Sequence, residues 1–127
     1  MAMRDLYSSV ATRLALAPAS LAATTNGLSV DLFGMKSAAV FVAVGAITGA
    51  AAFSVKLQES SDNSTWTDVP AAFVQSDAPA VLAASFSYRL GYIGGKRYIR
   101  PVFTLASGTS AIIGAVAVVE PTVRPVP

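Results

Sequence analysis

Between Lys36 and Lys56 the chain carries no charged residue, and the run reads "SAAVFVAVGAITGAAAFSV". It is long enough to suggest a transmembrane helix, which needs about 20 mostly apolar residues. Its middle argues against one. Gly45-Ala46-Ile47-Thr48-Gly49 is followed by three alanines, and glycine, serine and threonine dilute the hydropathy. Buried strands read as continuous apolar runs, so two strands joined by a turn bracketed by Gly45 and Gly49 fit it better. No membrane span is expected. Pro18 likewise interrupts "LALAPASLAA" (14–23), and Arg4 and Asp5 precede any apolar stretch, which argues against a cleaved signal peptide.

The rest of the chain divides into short strand-like runs. Thr12 to Ala17 is closed by Pro18, and Leu28-Ser29-Val30-Asp31-Leu32 alternates apolar with polar residues as a half-buried strand does. Ser37 to Val44 is valine-rich and reads as a central strand. Phe53, Val55 and Leu57 share one face, with Ser54, Lys56 and Gln58 on the other. In "ESSDNSTW" Asp62-Asn63 supplies a tight bend, and Trp66 to Val69 returns as the partner strand, ended by Pro70, with Trp66 packing into the core. Phe86, Tyr88 and Leu90 alternate with Ser87 and Arg89; Gly91, Gly94 and Gly95 make a turn. Lys96 to Leu105, the turn "SGTS" and Ala111 to Val119 complete the series. About eight strands at short spacing and no long helix predict an all-β chain: one antiparallel, jelly-roll-like β-sandwich with its core at about 12–119. Extended arms are expected at 1–11, where a short helical turn is the alternative, and at 120–127.

Composition narrows the chemistry. The 127 residues include no cysteine and no histidine, which removes the common zinc sites, Cys-His and Ser-His nucleophile pairs, and the usual general base near neutral pH. Seven acidic residues show no evident catalytic pair, and no enzyme activity or cofactor is expected. Hydrophobic residues make up 54% of the chain and charged ones 13%, too apolar for a disordered segment. So few charges imply that part of the surface is covered by a partner, and a homo-oligomer is expected.

Two stretches invite a functional reading. In "GGKRYIRPVF" (94–103) three of the nine basic residues fall within five positions. On a strand, Ile99, Pro101, Phe103 and Leu105 would face the core, with Arg97 reaching solvent from the strand end. Lys96, Tyr98 and Arg100 would share the opposite face with Val102 and Thr104. Interleaved cations and aromatics can bind single-stranded nucleic acid, but a net charge of +2 gives that little support, and none is expected as a partner. Pro101 cannot donate to a ladder, so this strand should be an edge or carry a bulge. Gly95-Lys96 lacks the other residues of a phosphate loop. Residues 59–68 gather acidic groups and Trp66, yet they break the calcium-loop pattern at Trp66 and lack its glycine.

Longer segments carry a resemblance. "VKLQESSDNSTWTDVPAA" (55–72) and "YRLGYIGGKRYIRPVFT" (88–104), with "MRDLYSSVATRLALAPA" and "VDLFGMKSAAVFVAVG" before them, resemble a family of small structural proteins of tailed bacteriophages and prophages. The shared features are a strand ending in KLQES, an Asp/Asn/Thr turn, a returning T-D-V strand and a later G-Y-x-G-x-K-R-Y-x-R strand. The resemblance implies a capsid decoration or cement protein on the exterior of the virion head, bound to the major capsid protein. A glycan-binding surface module built around Trp66 is the alternative. Lys96, Tyr98 and Arg100 are candidate protein contacts, as are Leu6, Tyr7, Val123 and Val126 on the arms. Deleting 120–127 is expected to leave the domain folded and weaken its assembly.

Overall fold

The computed structural model describes residues 7–122. Leu6, Val123 and Val126 therefore lie outside the described residues. After a 3-10 turn at Tyr7–Ser9 come ten strands: β1 (Ala11–Leu21), β2 (Thr25–Asn26), β3 (Val30–Asp31), β4 (Met35–Thr48), β5 (Ala52–Ser60), β6 (Thr67–Asp68), β7 (Val74–Ser76), β8 (Ser87–Tyr92), β9 (Tyr98–Ser107) and β10 (Ser110–Pro121). A second 3-10 turn, Ala71–Phe73, precedes β7. All pairings are antiparallel. One sheet runs β1-β10-β4-β8-β7 and the other β2-β9-β5-β6, with β3 also on β9. The described residues form an antiparallel β-sandwich, with ten strands where the sequence suggests about eight.

The core follows from alternation. Val40, Val42, Val44, Ile113, Ala115, Ala117 and Val119 point inward from the first sheet, and Phe53, Leu57, Ile99 and Phe103 from the second. Each large apolar side chain removed from water contributes roughly 1.5–3 kcal/mol, before the entropy of ordering the chain is set against it. Leu82, in the β7–β8 connection, is also buried, and its N–H donates to the Phe53 carbonyl at 2.9 Å. The connection thereby seals one side of the sandwich.

Several boundaries differ from the sequence reading, each for a physical reason. The apolar run does hold two strands, but β4 continues through Gly45 to Thr48, and the reversal falls at Gly49-Ala50, both at positive φ. β4 and β5 do not pair; the turn carries the chain from one sheet to the other. Pro18 does not end β1. It lies in a register shift between Leu16 and Ala19 on an edge strand, where a missing N–H costs no ladder bond. Of the expected strand at 28–32 only Val30–Asp31 is paired. Gly91 sits within β8 rather than in a turn. At the C-terminal end β10 reaches Pro121: Glu120 pairs with Ser37, and the Thr122 N–H donates to the Gly34 carbonyl at 3.1 Å. Residues 120–121 thus belong to the sheet, not to an arm.

Pro101 gives the most instructive correction. β9 is neither an edge strand nor bulged at this residue, since β5 flanks it on one side and β2 and β3 on the other. The Pro101 carbonyl accepts from the Gly27 N–H at 2.7 Å. A residue's N–H and C=O point to the same side of a strand, so the missing donor faces the short segment between β2 and β3. No bond toward β5 is lost. Gly27 is required there, because a Cβ would lie 2.6 Å from Pro101 Cγ and 2.7 Å from the Ala15 oxygen. The Leu28 N–H then donates to that same oxygen at 2.6 Å, tying β1 of one sheet to the edge of the other.

Candidate functional site

The outward face of the second sheet holds two of the candidate residues, Tyr98 and Arg100. Tyr98 and Arg100 project from β9, opposite Ser60 and Gln58 of β5, with Asp68 of β6 beyond Gln58. The Arg100 guanidinium donates twice to Gln58 Oε1, at 3.0 and 2.8 Å, and lies over the Trp66 ring, 4.4 Å from its centroid. Gln58 in turn donates to Asp68, which also accepts from Lys56 at 3.1 Å. These bonds, Gln58 first and Lys56 second, hold the Asp68 carboxyl below its ordinary pKa. Trp66 is therefore not a core residue. It is half-buried on the outside, one face of its ring covered by arginine.

A second arginine stack lies at the end of β9. Arg97 forms a bidentate pair with Asp31, both contacts at 2.9 Å, and its guanidinium lies 5.0 Å from the Tyr98 ring centroid and 5.1 Å from that of Phe33. As expected, Arg97 reaches solvent. The Asp31 carboxyl is held down at about 2, first by Arg97 and then by the Phe33 N–H. Lys96 does not share the strand face expected for it. It sits in the loop before β9, where its backbone N–H donates to the Tyr92 hydroxyl at 2.9 Å. That hydroxyl donates to the buried Glu59 carboxylate at 2.7 Å; burial first, then Glu59, push the Tyr92 phenol up to about 12. Lys96, Lys36, Phe33 and Arg97 rim a cleft of about 380 Å³ above this pair. Tyr7 stands apart on the first 3-10 turn, exposed.

The polar loop at 59–68 is a turn built from its own side chains. Ser60 Oγ accepts from the N–H groups of Asp62 and Asn63, and Asp62 Oδ1 accepts from those of Ser64 and Thr65. Asn63 takes the left-handed conformation at φ 60°. With its carboxylate committed to the backbone, Asp62 orders the hairpin. Among the described residues no group of three or more His, Cys, Asp or Glu is placed to hold a metal ion, and no helix is long and apolar enough to cross a membrane.

The outward face of the first sheet was not singled out from sequence, and it has the opposite character. Leu14, Val116 and Phe41 align across β1, β10 and β4, with Ile112 further along β10; these four are 38–50% exposed. Small residues surround them: Ala39 and Ala43 on β4, Gly91 on β8 and Gly114 on β10. Pro18 fills the space above Gly114. Arg89 on β8 lies directly opposite Phe41 and pairs with Asp77 at 3.3 Å, and at one end of the face Glu120 accepts from Ser37. The available signal was a difference between the two parities of β4: valine at 40, 42 and 44, but alanine and phenylalanine at 39, 41 and 43.

Fold and surface together define a two-sheet antiparallel sandwich with one ionic and aromatic face and one apolar face. No family model matches the chain, and no curated protein matches its sequence. The fold is similar to that in the crystal structure of the SPBc2 prophage-derived protein YomS, with a TM-score of 0.55 at 12% identity, over 87% of this chain and 91% of that one.

Proposed function

We propose that this chain is a non-catalytic virion protein of a tailed phage or prophage, a cement protein seated on the outer surface of the shell formed by the major capsid protein. The observation that carries this reading is the arginine–aromatic surface of the second sheet. Arg97 and Arg100 are exposed or half-exposed yet already fixed by Asp31 and Gln58 and stacked on Phe33, Tyr98 and Trp66. Arginine, tyrosine and tryptophan dominate the energetics of protein interfaces, and pre-ordered side chains lose less entropy on binding. The prophage origin of a protein with a similar fold and the resemblance of residues 55–72 and 88–104 to phage structural proteins point the same way.

The action is binding alone. A protein that binds the assembled shell and not its separated subunits stabilises the shell by mass action, about 2.7 kcal/mol per site at a free concentration 100 times Kd. The test is mass spectrometry of virion fractions with heads separated from tails, followed by a retention assay for Arg100→Glu. The chain should be found with heads, and the variant should be washed off them while remaining folded. Purified heads that lack the chain would sink the proposal. The glycan alternative draws on Trp66 lying outside the core, but Arg100 already occupies one face of that ring. Quenching of Trp66 fluorescence by a soluble quencher, with and without heads, separates the two readings: a shell contact lowers quenching and a free sugar site leaves it unchanged.

A further inference from the structure

The outward face of the first sheet is left without a role by the shell-binding reading, and it is built unlike an ordinary solvated sheet. An antiparallel sheet with one wet side alternates apolar-in with polar-out. Here the middle outward positions of β4 and β10 are instead Ala39, Phe41, Ala43, Ile112, Gly114, Val116 and Val118, with Ser37 and Glu120 only at one end. Apolar patches of several hundred Å² on a soluble protein mark interaction sites.

We infer that this face binds a second copy of the same chain, sheet against sheet. Three observations select that occupant. First, across β1, β10 and β4 the middle of the face carries no charge and no polar side chain, while Arg89 of β8, in register with Phe41 and already paired to Asp77, bounds it on one side; strongly apolar interfaces are characteristic of homodimers. Second, the face has both a knob and depressions to receive one. Phe41 borders an apolar depression of about 370 Å³, lined by Leu14, Pro18, Ala43, Ile112 and Gly114, and a mixed one of about 410 Å³, lined by Ala39, Gly91, Ile93 and Val118 with Ser37, Gln75 and Glu120 at its rim; a third, of about 470 Å³, lies toward Asp77 and Arg89. A two-fold arrangement places the Phe41 of each copy in a depression of the other, as an isologous interface requires. Third, the area of the whole sheet, its polar β7–β8 side included, approaches that of a stable interface. At about 3.3 Å per residue and about 4.8 Å between strands, the five strands cover roughly 700 Å² of plane, close to the about 800 Å² per partner of a standard specific interface.

The pairing is a property of the free protein and does not depend on the shell. Sedimentation of the full chain over a wide concentration range should show a dimer, and Phe41→Arg should weaken it at least 100-fold with an unchanged circular dichroism spectrum. The chain has no cysteine, so a single introduced thiol is unique. Val116→Cys should be joined to a second copy by a short bis-maleimide, and Lys56→Cys, on the other sheet, should not. If Phe41→Arg fails to fold, the cross-linking pair decides the matter. A wild-type chain that stays monomeric, or a dimer that cross-links through residue 56 and not 116, overturns the inference. A monomer whose Phe41→Arg variant is lost from heads also overturns it, by making the face a shell contact, and leaves the proposed function standing.

Discussion

The two outward faces of this sandwich use opposite chemistry on the same scaffold. On and beside the second sheet three cations are held by partners from other segments: Lys56 by Asp68, Arg97 by Asp31, and Arg100 by Gln58 and Trp66. On the first sheet the outward positions around Phe41 on β1, β10 and β4 are leucine, isoleucine, valine, alanine and glycine, with the Arg89–Asp77 pair alongside on the β8 side. Exposed ion pairs add little to stability, with a median of about 0–1 kcal/mol. The ionic face is therefore explained better by orientation of its side chains than by energy. The parts of Phe41 and Val116 that stay in water contribute nothing to the isolated fold. Neither surface is accounted for by folding alone, and the difference between them separates two kinds of contact: directional and salt-sensitive on one side, shape-dependent and salt-tolerant on the other.

The largest effect on stability should come from beneath the ionic face. Tyr92→Phe removes the hydroxyl that donates to buried Glu59 and accepts from the Lys96 N–H. An unsatisfied buried carboxylate costs on the order of 2–3 kcal/mol, which denaturant unfolding followed by circular dichroism would register. Self-association through the first sheet should persist in the folded fraction of this variant. Loss of both together would mean that the faces are not independent.

Salt separates the faces with a smaller effect. Raising ionic strength from about 0.1 to about 1 M shortens the Debye length from about 10 to about 3 Å. Retention on heads through Arg97, Arg100 and Lys56 should weaken, roughly tenfold by co-sedimentation, while dimerisation should hold or tighten in sulfate, which strengthens apolar burial. Equal salt dependence of the two would break the distinction.

How much of this was legible in the sequence depends on the range of each interaction. Local periodicity located β4, β5, β9 and β10 and the Asp62-Asn63 bend, because alternation and turn chemistry act over a few residues. Sheet membership was not legible: only three residues separate β4 from β5, yet each is completed by strands far along the chain. Pro101 argued for an edge, and only the positions of β2 and β3 show why an interior strand tolerates it. Trp66 and Arg100, like Arg97 and Asp31, are brought together by pairing across the sheet, which composition does not record. The apolar face was hidden for a different reason. Where both parities of a strand are apolar, alternation no longer says which side is inward, and only the packing of Val40 and Val42 against the second sheet leaves Phe41 on the outside.

Asp31 gives the smallest effect and the most specific one. Its folded pKa of about 2 lies below the ordinary 3.8, because Arg97 and the Phe33 N–H favour the charged carboxylate. A depressed folded value means that the unfolded chain takes up the proton first as pH falls. The contribution is therefore complete above about pH 4 and is lost as pH drops through about 2. The pair is about half exposed, so solvent screens it and the shift in melting temperature between those limits should be slight. Asp62 and Asp68, also depressed, titrate in the same direction, and the wild-type curve sums all three. Asp31→Asn should flatten that curve by one carboxylate's share. It should also free Arg97 from its bidentate partner and so weaken retention on heads at neutral pH, with dimerisation unchanged. A variant with the wild-type acid profile would show that the Arg97 pair is not kept in solution, and the orientation argument for the ionic face would then rest on Arg100 alone.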